Sequence, residues 1–142
     1  MQHRWAAFAL ALGFAAIAPP LQSALGQDSA PRGRKLGTLG QNYPNPFRPE
    51  TFIPFSIDDC GTPSRQRVVS LHVYNVLAQL VATPLLQGAD RPVANMRLSC
   101  GDYVGYWDGT VLRTHRQAAA GVYLYELVVD GQKSSRKMFV SK

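Results

Sequence analysis

Acidic residues are scarce in this chain, and its basic residues do not cluster. The 142 residues include 9 Asp and Glu against 15 Lys and Arg, which gives a formal net charge of +6 at pH 7. The basic residues are scattered along the chain, for example at Arg65, Arg67 and Arg136. Surfaces that bind nucleic acid concentrate such residues and interleave them with aromatic side chains. The composition therefore argues against a nucleic-acid partner and favours a solvated basic surface.

Sequence motifs of catalysis and cofactor binding are also missing. No Ser lies in a G-x-S-x-G sequence, and the glycines near residue 40 lack the G-x-G-x-x-G spacing of a nucleotide-binding loop. His72 and His115 have no spacing that would complete a zinc site with two cysteines. We therefore predict that the protein is not an enzyme and has no cofactor, metal or small-molecule substrate.

A long hydrophobic run is absent as well, although the N-terminus carries a short one. A positively charged start at Arg4 precedes 14 uncharged, mainly apolar residues, 5–18, and small residues follow at Ala24 and Gly26. This order is typical of a signal peptide. A membrane-spanning helix needs about 20 apolar residues, and Pro19 ends this run. We predict a signal peptide over residues 1–26 and no transmembrane segment after its cleavage.

Only two cysteines are present, Cys60 and Cys100. Two thiols in a small exported domain pair more often than they stay free, because the compartment is oxidising. We predict a disulfide between them.

Two segments without an apolar period precede the main domain. Residues 27–40 are rich in Gly and basic residues, which predicts a flexible linker. Residues 41–49 contain Pro44, Pro46 and Pro49, which fix φ and predict a stiff, extended segment that can act as a spacer.

From Thr51 onward the sequence alternates in the manner of short β-strands separated by turn residues. Pro54 predicts that its strand lies at a sheet edge, and Asp130-Gly131 predicts a tight hairpin. No helical period is seen. The pattern predicts an all-β antiparallel sandwich of seven strands, at residues 51–57, 68–76, 79–86, 92–98, 103–107, 122–129 and 137–141.

Several short motifs resemble a known family when they are taken in order. The sequence from Gln41 through Pro44, Asn45, Pro46 and Phe47 is similar to the start of the C-terminal sorting domains of type IX secretion, and of the related immunoglobulin-like domain of the flagellar hook-capping protein. Later matches are Val69 to Leu77, Trp107-Asp108-Gly109, Gly121 with Tyr123 and Tyr125, and Arg136 to Met138 with Lys142.

The resemblance covers residues 41–142 and implies an immunoglobulin-like β-sandwich. Trp107 is expected to fill the core, and Asp108-Gly109 to reverse the chain after it. Gly121 is expected at a clash-prone or positive-φ position, and Tyr123 and Tyr125 in the core with hydroxyls at its edge. Where the family has Gly this chain has Ala78, which predicts a different turn or a strained one.

Two functions remain open at this point. In the first, the domain is a secretion module that directs or anchors proteins at the outer-membrane surface, and Lys137 and Lys142 present its recognition surface to a secretion apparatus. In the second, it is a stand-alone module, extracellular or periplasmic, that binds another surface protein. Only 14 residues, 27–40, separate the predicted cleavage site from Gln41, which favours the second function, whereas the C-terminal motifs favour the first.

Overall fold

Alternating apolar residues build two antiparallel sheets in the part of the chain that the computed structural model describes, residues 33–142. The predicted signal peptide and residues 27–32 of the predicted linker lie outside this range. Ten strands follow one another: β1 Gly37–Leu39, β2 Thr51–Ile57, β3 Gln66–Tyr74, β4 Leu80–Ala82, β5 Leu85–Leu86, β6 Arg91–Pro92, β7 Met96–Ser99, β8 Gly101–Trp107, β9 Gly121–Val129 and β10 Gln132–Val140.

The strands divide equally between the two sheets. One sheet has the order β1-β2-β8-β5-β6. The other has the order β10-β9-β3-β4. The strand β7 also belongs to this sheet: β7 pairs with the first half of β3 and β4 with its last residues, on the same side of β3. Every pairing between these strands is antiparallel, and the described residues contain no helix. The predicted all-β antiparallel sandwich is therefore confirmed, with ten strands in place of seven.

The core lies between the two sheets, where the alternation of each long strand directs every second side chain inward. Three strands supply ten of the 22 buried hydrophobic residues in the described part of the chain. Their buried positions are Ile53, Phe55 and Ile57 in β2, Val69, Leu71 and Val73 in β3, and Tyr123, Tyr125, Leu127 and Val129 in β9.

The predicted linker needs correction at its C-terminal end. Gly37–Leu39 form β1, which pairs with β2, and Leu39 is buried. The Leu36 N–H also donates to the Gln132 side chain at 2.8 Å. Glycine-rich composition suggested flexibility, but a single buried leucine and a ladder of three residues are enough to add this segment to the sheet.

The predicted edge position of Pro54 is wrong, because β2 lies between β1 and β8. In an antiparallel ladder the N and O of one residue face the same neighbour. The Gly40 N–H donates to the Pro54 carbonyl at 2.8 Å, so the missing donor of Pro54 faces Gly40. The Gly40 carbonyl accepts the Tyr125 hydroxyl at 2.8 Å instead. A side chain thus replaces the hydrogen bond that proline cannot make.

Two predicted strands are each divided between the sheets. Residues 79–86 form β4 in one sheet and β5 in the other, and residues 92–98 begin in β6 and continue in β7. The chain changes sheet at Thr83-Pro84, where the ring cannot continue the ladder. The hairpin predicted from Asp130-Gly131 is confirmed, since Val129 pairs with Gln132 and both turn residues have positive φ.

Candidate functional site at the C-terminal strand

Residues 45–47 form a clip on the edge strand β10. The Phe47 N–H donates to the Phe139 carbonyl at 2.9 Å, and the Ser141 N–H donates to the Phe47 carbonyl at 3.0 Å. The Asn45 side-chain oxygen accepts the Phe139 N–H at 2.9 Å. Phe47 thus pairs in parallel with Val140. The proline-rich segment is docked on the last strand rather than projecting as a spacer, and it covers backbone groups that an edge strand otherwise exposes.

The prolines of this segment lie outside the core and frame the clip. Pro44 and Pro46 are exposed on either side of Asn45. The Pro44 carbonyl accepts the Thr51 hydroxyl at 3.0 Å, and Thr51 also accepts the buried Asn42 amide at 3.0 Å. These bonds join the segment to the first residue of β2, so the clip is held at both ends.

An aromatic cluster lies directly beneath the clip. Phe47 and Trp107 are 1% and 3% exposed, and their ring centroids are 5.3 Å apart. The Trp107 ring also meets the Tyr123 ring edge-on at 6.0 Å. Because the indole N–H donates to the Thr110 carbonyl at 3.0 Å, no polar atom of this buried side chain is left without a partner. The cluster joins the clip, β8 and β9 in one packed unit.

Asp108 and Gly109 reverse the chain after Trp107. The Asp108 carboxylate accepts the Thr110 N–H at 2.8 Å, so it serves the backbone of the turn. Gly109 has a φ of 79°, and a Cβ there would lie 2.1 Å from the Pro49 carbonyl oxygen. Only glycine fits, because the proline segment passes directly over it.

Two tyrosines of β9 are buried with their hydroxyls bonded at the edge of the core. Tyr123 donates to the Ala119 carbonyl at 3.0 Å. Tyr125 donates to Gly40 and accepts the Asn42 N–H at 3.0 Å, and burial raises the pKa of this phenol. Gly121, at the start of β9, has a φ of 149° with open space around it, so backbone conformation rather than crowding favours glycine there.

The two lysines predicted as a recognition surface are both exposed. Lys137 lies on the outer face of β10, opposite Leu124 of β9 and two residues before the half-exposed Phe139. Its carbonyl accepts the Gln41 amide at 3.4 Å. Lys142 follows Ser141, whose N–H is bonded to the clip. Both ammonium groups therefore project from anchored backbone, where they can bind a carboxylate or phosphate.

A shallow depression of about 340 Å³ lies on the outer face of the same sheet. Its wall includes Glu126 and Lys133, whose charged atoms are 3.6 Å apart. His72 lies opposite Glu126 in the ladder and is half-buried. Burial lowers the pKa of His72, and Glu126 opposes this only in part. Burial thus favours the neutral form of the imidazole, whereas sequence alternation predicted only that His72 faces outward.

The disulfide lies at the end of the sandwich opposite the clip. The predicted bond between Cys60 and Cys100 is confirmed, with Cα atoms 5.8 Å apart. Oxidised cysteines are typical of extracytoplasmic proteins.

Arg67, expected on a solvated basic surface, is instead 5% exposed at this end. Its guanidinium donates to the Asp58 and Asp59 carbonyls and to the Asp130 carboxylate. The alternation of β3 contained the signal that sequence reasoning missed, since position 67 shares the inward register of Val69 and Leu71.

Within residues 33–142 no three His, Cys, Asp or Glu side chains come close enough to hold a metal ion. The same residues contain no helix long and apolar enough to cross a bilayer. Comparison with protein-family models, curated proteins and solved structures found no match to this chain.

Proposed function

We propose that this protein is a non-enzymatic, exported immunoglobulin-like module of the secretion and sorting type, with its signal in the folded C-terminal end. One observation carries the proposal: residues 45–47 are bonded to the last strand. This brings together motifs that lie far apart in the sequence. Asn45, Trp107 and Tyr123 meet at one end of the sandwich, and Lys137 lies on β10, which leads to that end. A secretion apparatus could read this end only in the folded domain.

The chemistry of the site supports recognition rather than catalysis. The carboxylate of Asp108 is bonded to its own turn, and the hydroxyls of Tyr123 and Tyr125 are bonded to backbone. Lys137 and Lys142 provide exposed positive charges. Their proposed partner is a protein of the outer-membrane surface or its secretion apparatus, and the proposed location is the cell surface or the medium.

The test is a reporter fusion in a host with type IX machinery. The reporter is joined ahead of Gly33, because β1 and Leu36 belong to the folded unit. Deleting the last six residues is a poor test, since it removes Met138 and Val140 from the core. Point variants that leave the core intact, Lys137→Ala with Lys142→Ala, are used instead.

Lys133→Ala is the matched control, because Lys133 is exposed on the same face of β10 but lies near the hairpin. We expect the double variant to shift most of the reporter from the medium to the periplasm, and the control to be exported like the parent. Thermal unfolding of each purified variant verifies that folding is unchanged. If the intact fusion stays periplasmic while folded and protease-resistant, the sorting proposal fails and a stand-alone binding module becomes the better account.

A further inference from the structure

Four exposed apolar side chains, among them the three most exposed large ones of the described residues, lie on β4 and the two loops beside it, at one end of the sandwich. Val76 and Leu77 are consecutive and 73% and 74% exposed, and Leu80 and Leu112 are 42% and 52% exposed. These four residues are called the aliphatic tip below. Single exposed leucines are ordinary, but a contiguous exposed group usually marks an interaction site.

Two loops bring the aliphatic tip together. The Leu112 N–H donates to the Val81 carbonyl at 2.9 Å, which fixes the loop after β8 beside β4. A groove of about 480 Å³ between the loops is lined by Leu80 on one side and Arg113 on the other. Residues 76–77 therefore project next to a basic loop and not from an isolated hairpin.

The projecting turn is held firmly. The Asn75 side-chain oxygen accepts the N–H groups of Leu77 and Gln79, each at 3.0 Å, and the Asn75 carbonyl accepts the Ala78 N–H at 3.0 Å. These bonds keep Val76 and Leu77 pointing outward at the apex. Because the turn is already ordered, burying it in a binding partner or a membrane costs little conformational entropy.

Positive charge accompanies the aliphatic tip. Arg113 and Arg116 are exposed in the adjoining loop, with His115 between them. The sequence has no Asp or Glu from Gly109 to Tyr125. Exposed aliphatic residues flanked by arginines match a surface with an apolar interior and an anionic boundary, which is the chemistry of an anionic lipid bilayer.

A protein partner fits the same features less well. Interface hot spots are enriched in Trp, Tyr and Arg that fill pockets, whereas Val76 and Leu77 are aliphatic and project from a convex apex. We propose that the aliphatic tip inserts into the headgroup region of an anionic membrane, with Arg113 and Arg116 binding the lipid phosphates. This goes beyond the proposed sorting role and does not depend on Lys137 or Lys142.

The experiment is co-sedimentation with vesicles of phosphatidylglycerol and phosphatidylcholine in equal parts, compared with pure phosphatidylcholine. It uses the full chain and also the unit Gly33–Lys142, which contains all ten strands, the core and the disulfide. Both are expected to bind the anionic vesicles, and added salt should weaken binding because it screens the arginines.

Three variants identify the surface. Val76→Ser with Leu77→Ser should lower the partition coefficient about tenfold or more, and Arg113→Gln with Arg116→Gln should abolish the preference for anionic vesicles. Val68→Ser is the matched control, since Val68 is 40% exposed near the opposite end, and it should bind like the parent. Thermal unfolding checks that each variant is folded.

Several results would overturn the proposal. One is binding of the full chain but not of Gly33–Lys142, and another is unchanged vesicle binding by the Val76/Leu77 variant. A third is a parent protein that does not bind vesicles but binds a protein partner, with that partner lost in the Val76/Leu77 variant. This result would make the aliphatic tip a protein interface. Sorting of the reporter fusion does not enter these measurements, so the two proposals fail independently.

Discussion

Ala78 has a φ of 58°, in the left-handed region that residues with a Cβ avoid. It closes the loop between β3 and β4, where hairpins of this length need one left-handed residue, usually glycine. Ala78→Gly is expected to raise the free energy of unfolding by about 0.5–1 kcal/mol, because relief of the strain exceeds the extra entropy of the unfolded chain. Denaturant unfolding measures the change.

Ala94→Gly is the control for this substitution, because Ala94 is an exposed loop residue without positive φ. It should lower stability by about 0.5–1 kcal/mol. A loss of stability in both variants would mean that Ala78 is not strained.

Gly109 faces a different constraint, since a side chain there would overlap the Pro49 carbonyl. Gly61 has a similar φ of 72° with no atom near its missing Cβ. Gly61→Ala should cost about 1 kcal/mol for backbone strain alone, and Gly109→Ala about 1–3 kcal/mol more for the overlap. Equal losses in thermal or denaturant unfolding would show that the proline segment can move away from the turn.

Sequence patterns predicted many individual residues for physical reasons that can be traced. Alternation placed Val69 and Leu71 in the core, and Asp-Gly predicted the hairpin, because both signals are local. The same alternation put Arg67 on the inward face, but its charge suggested solvent. Burial of Arg67 depends on the carbonyls of Asp58 and Asp59 in the preceding turn and on the carboxylate of Asp130 in a distant one, and the alternation of a single strand does not reveal these partners.

Among the elements, the β9–β10 hairpin pairs with β3 along the ladder, and the carboxylate of its turn residue Asp130 adds a side-chain link to β3. Asp130 accepts the Val68 N–H at 2.8 Å and Arg67 at 2.9 Å, and the bond from Val68 is the main cause that lowers the pKa of Asp130 from its ordinary 3.8. A carboxylate with a lowered folded pKa stabilises the fold above its unfolded pKa. That stabilisation is lost as the pH falls through the folded value.

Asp130→Asn tests this link and keeps the turn, because Asn also tolerates positive φ. The parent should be more stable than the variant at pH 7, and the difference should shrink in acid, below the ordinary value of 3.8. Asp102→Asn, at an exposed position, is the control. Unfolding curves at several pH values give the comparison, and a difference that persists unchanged in acid would contradict it.

Element boundaries were predicted closely for two long strands, but the prediction for β10 is wrong, since it begins at Gln132 and not at residue 137. β2 matches its prediction residue for residue, and β9 within one residue. Residues 79–86 were predicted as one strand because their apolar pattern is continuous, yet they divide between sheets at Thr83-Pro84. A change of sheet depends on which neighbours are already paired, and this is a tertiary property.

For the whole molecule, the disulfide constrains the unfolded chain. Cys60 and Cys100 are 40 residues apart, so their bond should contribute about 4 kcal/mol by reducing the entropy of the unfolded state. Cys60→Ala with Cys100→Ala is expected to lose most of this in denaturant unfolding. Reducing the parent should give the same loss, whereas adding reductant to the double variant should change nothing. Two free thiols in the oxidised, denatured parent would refute the assignment.

The convergence of the motifs lies beyond sequence reasoning. The prolines predict a stiff segment at residues 41–49, but its docking on β10 was not predictable, because Asn45 and Phe139 are distant in sequence and bond through one side chain. Exposure of Lys137 and Lys142 followed from charge alone. The aliphatic tip was hidden because Val76 was predicted as the end of a strand and Leu77 as part of the turn after it, and neither pattern predicts a projecting apolar group.

The parallel pairing of Phe47 with Val140 also gives the domain a mechanical direction. When force pulls one of two parallel strands by its N-terminal end and the other by its C-terminal end, the strands are sheared along each other. The hydrogen bonds between them then bear the force together. Tension between the N-terminal side and Lys142 would load the three hydrogen bonds of the clip together, in shear, instead of opening them one after another. The clip would therefore resist a force applied between the N-terminal side and the C-terminus more strongly than it would if the same hydrogen bonds broke one at a time.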